Sequence, residues 1–158
     1  VTFGGPGLLS VLRSNSGAGD GYSQVAFTEP YAAGIRAAAL LDLNGDGAED
    51  TVVGLGDGSV RVLEGSSLVP RSSTATVSGN ISQFILSDAD NDGSLDLVVL
   101  SSSAITLFDP LTLQSRGSVA QGAAEMAIGN VDNDALLEVV LNTGRVLRLT
   151  RSRFRRAG

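Results

Sequence analysis

Residues 86–100 read LSDADNDGSLDLVVL, and the fold of the chain can be inferred from this stretch. Acidic side chains stand at alternate positions, Asp88, Asp90 and Asp92, and are followed by Gly93 and then by a further acid, Asp96. A run of apolar residues comes directly after the last acid. Alternating Asp followed by glycine is typical of a tight loop, and a short apolar run bounded by such a loop is typical of a strand. The stretch therefore predicts a strand that leaves an acidic loop.

The same pattern occurs twice more in the chain. Residues 40–54 read LLDLNGDGAEDTVVG, and residues 129–141 read GNVDNDALLEVVL. We name the acidic segments loop 1 (42–50), loop 2 (88–96) and loop 3 (130–138), which begin 46 and then 42 residues apart. A period of that length is typical of β-propeller blades and similar repeat arrays.

The segments around each loop favour β-structure. An apolar run precedes the loop, a β-branched or apolar run follows it, and a turn signal then leads to alternating apolar residues. The runs lie at 37–41, 84–86 and 126–128 before the loops and at 51–53, 97–100 and 139–141 after them. Weaker patterns at 74–77 and 114–119 predict a fourth strand for two of the repeats. Because the chain lacks a sustained helical period, we expect an all-β fold of hairpins with one face buried.

The composition excludes several classes of function. The 158 residues contain no cysteine, histidine or lysine, which excludes disulfides, zinc–thiolate sites, histidine-dependent triads, Schiff bases and a P-loop lysine. No apolar run reaches the ~18 residues of a membrane span. The formal net charge is −6, but residues 1–144 carry five arginines against all 17 acids, a net charge of −12. We expect an acidic body with a short basic tail, which is interpreted as a last strand and its end, and no nucleic-acid partner. The alternative is that the tail binds an anionic partner such as an acidic glycan.

The spacing of oxygens in the loops is the spacing that a hard cation needs. Side-chain oxygens at loop positions 1, 3 and 5 converge when the chain winds around an ion, position 7 adds a backbone carbonyl, and an acid at position 9 completes the shell. Glycine at position 6, Gly47 or Gly93, allows the left-handed turn that this winding requires. Ca²⁺ fits such a set better than Mg²⁺, which demands a stricter octahedron. The alternative is that the loops are solvated acidic turns without an ion.

Loop 3 departs from this pattern. It starts with Asn130, has Ala135 in the glycine position and ends with Glu138 in place of aspartate. Alanine in the left-handed region costs about 1 kcal/mol or more. Two Ca²⁺ sites are therefore expected in loops 1 and 2, and loop 3 either holds a third ion or keeps only the turn.

Acidic loops of this form, placed between strands at this period, resemble the FG-GAP/VCBS repeats of integrin α-subunit-like β-propellers. The resemblance rests on LLDLNGDGAEDTVVG and LSDADNDGSLDLVVL and extends from about residue 7 to residue 150. It implies that the innermost strand of a blade leads into a calcium loop and that the next strand leaves it. The ligands it implies are Asp42, Asn44, Asp46, Asp50 and the carbonyl of Ala48 in loop 1; Asp88, Asp90, Asp92, Asp96 and the carbonyl of Ser94 in loop 2; and Asn130, Asp132, Asp134 and Glu138 in loop 3.

The chain is short for a closed propeller of this kind, which has about seven blades. We predict a partial β-propeller of about three four-stranded blades with calcium-binding loops between the inner strands. Residues 1–35 form the second half of a preceding blade, 36–80, 81–122 and 123–150 form three repeats of which the last is incomplete, and 151–158 form the basic tail. Since an open ring exposes sheet faces, we expect the chain to be part of a longer protein or to complete its fold against other copies.

These features favour a secreted, extracellular or cell-surface adhesion or scaffold module that binds Ca²⁺ and is not an enzyme. Its partner, a protein or a glycan, would bind blade-end loops such as residues 15–22, because such loops vary most between repeats. One alternative is a structural subunit of a filament or surface assembly in which incomplete propellers dock between protomers. Another is a propeller enzyme that acts on polysaccharide through paired carboxylates, but ten of the 17 acids lie at ligand positions and few remain for such a pair.

Overall fold

The structure is a computed structural model that describes residues 7–14 and 21–149. The basic tail at 151–158, most of the candidate partner loop at 15–22 and the start of the predicted half-blade at 1–35 lie outside these residues. The described part contains thirteen β-strands and one 3₁₀ turn at Gly65–Ser67, and it contains no α-helix. The described residues therefore include no helix that is long and apolar enough to cross a membrane. The prediction of an all-β fold is confirmed.

The strands form four antiparallel sheets, and each sheet is built from strands that follow one another in the chain. The first sheet has β1 (Ser10–Ser14) and β2 (Tyr22–Phe27). The second has β3 (Ile35–Leu41), β4 (Asp50–Leu55), β5 (Ser59–Glu64) and β6 (Val69–Thr76). The third has β7 (Ile81–Ser87), β8 (Asp96–Ser101), β9 (Ile105–Phe108) and β10 (Ser115–Val119). The fourth has β11 (Met126–Gly129), β12 (Glu138–Leu141) and β13 (Val146–Leu147). The second and third sheets thus contain the fourth strand that the sequence signals only weakly.

The second strand of each four-stranded sheet is buried on both faces. All residues of β4 and of β8 are buried. Because successive side chains of a strand point to opposite faces, Leu97 and Val99 pack into one hydrophobic core while Val98 and Leu100 pack into another. The expectation of hairpins with a single buried face is therefore wrong for these strands. Their continuous apolar runs are the pattern of a strand covered on both sides.

Three hydrophobic cores lie between the four sheets, so the sheets stack face to face in chain order. Members include Val11 and Val53 between the first and second sheets, Val52 and Leu97 between the second and third, and Val98 and Val139 between the third and fourth. The first strand of the third sheet, β7, contacts both β3 and β4 of the second sheet. Such stacking is the arrangement expected of blades, while the number of blades and the closure of a ring remain predictions.

The acidic loops join the first and second strands of the second, third and fourth sheets. The residue before each loop pairs with the acid that closes it: Leu41 with Asp50, Ser87 with Asp96, and Gly129 with Glu138. Each closing acid is thus the first residue of a second strand, and all three closing acids are buried. The fold places the three loops at equivalent positions of neighbouring sheets.

Gly54 marks a close approach between the second and third sheets. It lies in β4, and a Cβ atom at this position would lie 2.7 Å from Cγ2 of Ile81 at the start of β7. Gly54→Ala should therefore force the two sheets apart and lower the free energy of unfolding by about 1–3 kcal/mol. Urea unfolding followed by circular dichroism measures this loss.

Gly129→Ala is the matched control, because Gly129 also lies in a strand, β11, and a Cβ there would meet no atom within 4 Å. The control should leave the free energy of unfolding within about 0.5 kcal/mol of the parent chain. Equal losses in the two variants would contradict the close packing at Gly54.

Candidate metal centre

The first residue of loops 1 and 2 organises the loop backbone through its carboxylate. Asp42 accepts hydrogen bonds from the N–H groups of Gly45 at 2.7 Å and Gly47 at 2.9 Å. Asp88 likewise accepts one from the N–H of Gly93 at 2.9 Å. Gly47 and Gly93 have φ values of +86° and +88°, so the left-handed turn predicted at position 6 is confirmed. This turn directs the glycine N–H towards the first carboxylate.

The fifth residue makes the same contact in all three loops. Asp46, Asp92 and Asp134 each accept a hydrogen bond from the N–H two residues further on, at 2.8, 2.8 and 2.7 Å. Such turns are typical of aspartate in tight loops. Because a carboxylate offers about four lone-pair positions, these bonds leave it able to bind a cation as well.

Loop 2 brings three of its four predicted acids together. Asp88, Asp90 and Asp96 each place a carboxylate oxygen within 4.8 Å of the others. Asp90 is 5% exposed and Asp96 is fully buried. Burial and the neighbouring charge of Asp90 raise the pKa of Asp96, although Arg116 acts against both effects. The negative charges are thus concentrated where water screens them little, and an all-oxygen set of this kind fits a hard divalent cation such as Ca²⁺.

Loop 1 does not bring its acids together in the same way. Among residues 7–14 and 21–149, groups of three acids close enough to share an ion occur in loops 2 and 3. In loop 1, the N–H of Ala48 and the side-chain amide of Asn44 bind Asp46 and lower its pKa. Asp50 is bound by Arg71 at 2.8 Å. The predicted ligands of this loop therefore contact the protein's own donors.

Loop 3 assembles its acids although it lacks the glycine. Asp132, Asp134 and Glu138 each have a carboxylate oxygen within 4.8 Å of the others. The Nη2 atom of Arg148 lies among them, at 2.9, 2.7 and 2.7 Å respectively. Asn130, the predicted first ligand, accepts a hydrogen bond from a backbone N–H of its own loop at 2.7 Å. In this structure a guanidinium thus binds the acids that the sequence assigned to an ion.

An arginine pairs with the closing acid of every loop, and the sequence reasoning missed this feature. The pairs are Asp50 with Arg71 at 2.8 Å, Asp96 with Arg116 at 2.7 Å, and Glu138 with Arg148 at 2.7 Å. Each arginine supplies the counter-charge without which a buried carboxylate is strongly destabilising. A signal was present, because Arg71 and Arg116 follow their closing acids by 21 and 20 residues.

Arg71 and Arg116 also reach a second acid at the end of the third strand. Arg71 lies 3.7 Å from Glu64, and Arg116 lies 2.7 Å from Asp109. The backbone N–H of Thr112, helped by Arg116 and the Thr112 hydroxyl, lowers the pKa of Asp109 to about 2. Since Arg71 lies in β6 and Arg116 in β10, each bridge ties the fourth strand to the second and third strands at the loop end of the sheet.

Asn91 links loop 2 to loop 3. Its side-chain nitrogen donates to the carbonyl of Leu137 at 3.2 Å, and its side-chain oxygen accepts from the N–H of the same residue at 2.7 Å. Its own backbone has a φ of 61°, in the left-handed region that asparagine tolerates better than most residues. Because Leu137 precedes Glu138, the Asn91 amide fixes the backbone directly before a closing acid.

Asn91→Gly should remove both hydrogen bonds while keeping the left-handed backbone. We expect the free energy of unfolding to fall by about 1–2 kcal/mol, because a half-buried backbone donor and acceptor lose their partner. Urea unfolding measures the change. Asn133→Gly is the matched control, since Asn133 has a φ of 63° at the equivalent position of loop 3. A loss no larger than that of the control would contradict the role of Asn91.

Comparisons with known proteins agree with the repeat pattern. Residues 42–99 match the family model of the FG-GAP-like repeat. The matched segment runs from the first residue of loop 1 through the remainder of the second sheet and through loop 2 into β8. The resemblance that the loop sequences predict is confirmed for these residues. Neither a curated protein nor a solved structure matches the chain.

Proposed function

Since residues 42–99 carry an FG-GAP-like repeat, we propose that this chain is a calcium-stabilised, non-catalytic module of an extracellular or cell-surface adhesion or scaffold protein. The observation that carries the proposal is the convergence of Asp88, Asp90 and Asp96 in loop 2, with Asp90 and Asp96 buried. Mutual repulsion of buried carboxylates opposes folding, and a divalent cation between them removes that repulsion.

Loop 2 is the site best suited to the ion. Asp88, Asp90, Asp92 and Asp96 would hold it, together with the carbonyl of Ser94. When bound, Ca²⁺ would supply the positive charge that Arg116 alone cannot supply to three clustered acids. Arg116 contacts Asp96 within loop 2 and Asp109 outside it.

Loop 1 would provide a weaker second site. Its ligands would be Asp42, Asn44, Asp46 and Asp50, with the carbonyl of Ala48. Two observations support a lower affinity than that of loop 2. Asp50 is already paired with Arg71 at 2.8 Å, and Asp46 is bound by the amide of Asn44 at 2.7 Å. An ion would have to compete with both contacts.

An extracellular location suits calcium sites of low affinity. Modules outside cells bind Ca²⁺ with dissociation constants of about 10⁻⁴–10⁻³ M, and the calcium concentration there is high enough to fill such sites. Any ligand that binds the folded chain and not the unfolded one stabilises the fold by mass action. The ion would thus act as a structural component of the sheet ends.

The described surface favours binding over catalysis. An open groove between the first and second sheets is lined mainly by apolar residues such as Val11 and Leu40, and Glu49 is the one acid among its described lining residues. A single carboxylate cannot provide the acid and base pair that hydrolysis of a glycosidic bond uses. A protein or glycan partner that contacts the blade-end loops is therefore the preferred proposal.

Calcium-dependent thermal unfolding tests the proposal. Protein freed of calcium by a chelator should gain about 1.4 kcal/mol per site when free calcium exceeds the dissociation constant ten-fold, which raises the unfolding midpoint by roughly 3–6 °C. Asp90→Asn should abolish the part of this calcium-dependent rise that comes from loop 2, because it removes a buried ligand. Equilibrium dialysis with radioactive calcium should then count one bound ion fewer.

Glu125→Gln is the control, because it removes the same charge from an exposed residue outside all three loops. This variant should keep the full calcium-dependent rise. An unfolding midpoint that does not respond to calcium in the unmodified chain would overturn the calcium proposal.

The outer faces of the end sheets favour a second candidate function, that of a subunit in a filament or surface assembly. In the first sheet Val11 packs inward, whereas Leu12 and Phe27 are 58% and 63% exposed. In the fourth sheet Leu147 packs inward, whereas Val146 is 54% exposed. Apolar side chains on an open sheet face form a surface that another sheet can cover. In an assembly, that sheet would belong to a second copy of the chain.

Sedimentation equilibrium of the chain, with calcium and with chelator, discriminates this candidate. A subunit of an assembly should form dimers or polymers, and Leu12→Ser combined with Phe27→Ser should weaken them by removing apolar contact area. Leu111→Ser is the control, because Leu111 is similarly exposed at 53% but lies in a turn of the third sheet. A monomer at every concentration and under both conditions would rule the assembly out.

A further inference from the structure

The residue opposite the closing acid changes sign in the fourth sheet. Strand pairing sets this residue, because it stands one position beyond the last paired residues of the second and third strands. The opposed pairs are Asp50 with Glu64, Asp96 with Asp109, and Glu138 with Arg148. In the second and third sheets the closing acid therefore faces another acid across the strand pair, whereas in the fourth sheet it faces an arginine.

The arginine that balances the closing acid also comes from a different strand in the fourth sheet. In the second and third sheets the arginine comes from the fourth strand, and Arg71 and Arg116 each bridge the two opposed acids. The described part of the fourth sheet has three strands. There Arg148, directly after β13, supplies the charge from the end of the third strand. The positive charge thus comes from a position directly across from the closing acid.

This exchange moves the positive charge from the flank of the loop to its centre. Arg116 contacts one acid of loop 2, Asp96. Arg148 contacts three acids of loop 3 through the single nitrogen Nη2, and its Nε also donates to Glu138 at 3.0 Å. The hydrogen bonds that Arg148 donates to Glu138 raise the pKa of Arg148, and the charges of Asp134 and Asp132 add to the effect. The nitrogen therefore lies at the point on which the three carboxylates converge.

Two other departures of loop 3 agree with a permanent internal cation. Ala135 does not adopt the positive φ of Gly47 and Gly93, so its N–H is not placed as theirs are. In loops 1 and 2 that N–H donates to the carboxylate of the first residue, whereas in loop 3 the first residue is the uncharged Asn130, whose side-chain oxygen accepts from the N–H of Asn133. The Asn130 NH₂ donates instead to the carbonyl of Asp134. The first position of loop 3 therefore lacks the negative charge of Asp42 and Asp88, and the arginine of this loop reaches three of its acids instead of one.

We infer that the guanidinium of Arg148 is the built-in cation of loop 3. It holds Asp132, Asp134 and Glu138 together without a divalent ion, so the divalent sites of this chain are loops 1 and 2. The statement about loops 1 and 2 rests on the proposed calcium function. The role of Arg148 does not, because its contacts need no ion.

Thermal unfolding of the full chain in chelator tests the role of Arg148 in the absence of any ion. Arg148→Gln should lower the unfolding midpoint by about 2–4 °C, because three clustered carboxylates lose their counter-charge. Asp134→Asn introduced into the Arg148→Gln chain should recover part of this loss, because it removes one of the repelling charges. Arg145→Gln is the matched control, since Arg145 is exposed, precedes β13 and carries the same charge.

The control should leave the midpoint unchanged. If Arg148→Gln and Arg145→Gln lower the midpoint equally, or if Asp134→Asn worsens the loss, Arg148 is an ordinary surface arginine and the inference is overturned. Should Arg148→Gln fail to fold, Asp134→Asn in the parent chain decides instead. With Arg148 present, Asp134→Asn removes one partner of the guanidinium and should therefore lower the unfolding midpoint. A rise in the midpoint would show that repulsion among the acids is not balanced by Arg148 and would overturn the inference.

Equilibrium dialysis with calcium tests the assignment of sites. Asp134→Asn in the parent chain should leave the number of bound ions unchanged, whereas Asp90→Asn should lower it by one. Arg148→Gln should gain one weakly bound ion at millimolar calcium, and Asp134→Asn should remove that gain. A parent chain that loses an ion on Asp134→Asn overturns the inference. If no variant binds calcium, the proposed function fails, while the chelator measurements still decide the role of Arg148.

Discussion

Each repeat of this chain depends on a buried carboxylate at the point where an acidic loop becomes a strand. Asp50, Asp96 and Glu138 are each less than 5% exposed, and each begins the second strand of its sheet. A buried charge is stable only with a counter-charge nearby, and an arginine supplies one in every case. Because the second strand also lies between two hydrophobic cores in the four-stranded sheets, one ion pair fixes the end of the loop and the start of the strand that both cores share.

The three loops join equivalent strands of their sheets but balance their charges differently. In loop 1 the charges are spread out, with Asp50 on Arg71 and Asp46 on Asn44. In loop 2 three acids converge and Arg116 reaches one of them. In loop 3 three acids converge and Arg148 reaches all of them. Loop 2 therefore has the largest unbalanced negative charge, and this is the physical reason that it is the best candidate for a divalent ion.

Short-range patterns allowed much of the fold to be predicted, because loops, turns and strand runs are encoded within about ten residues. The strands, the left-handed glycines and the positions of the acidic loops follow from them. Burial of β4 and β8 on both faces depends on contacts with neighbouring sheets, and the hydrogen bonds between Asn91 and Leu137 join residues 46 positions apart. Which acids lie together could not be predicted from the motif alone: in loop 3, with the poorer motif, three acids lie together around Arg148, whereas in loop 1 they do not.

The two-sided burial of β4 and β8 has a consequence for how this sequence can change in length. Odd and even residues of β8 serve different cores, so inserting or deleting one residue would send each later side chain of that strand to the wrong core. Damage of that kind spreads to both neighbouring sheets at once. Exposed loops can absorb such changes, whereas a change in the length of a second strand must preserve the alternation of its side chains between the two cores.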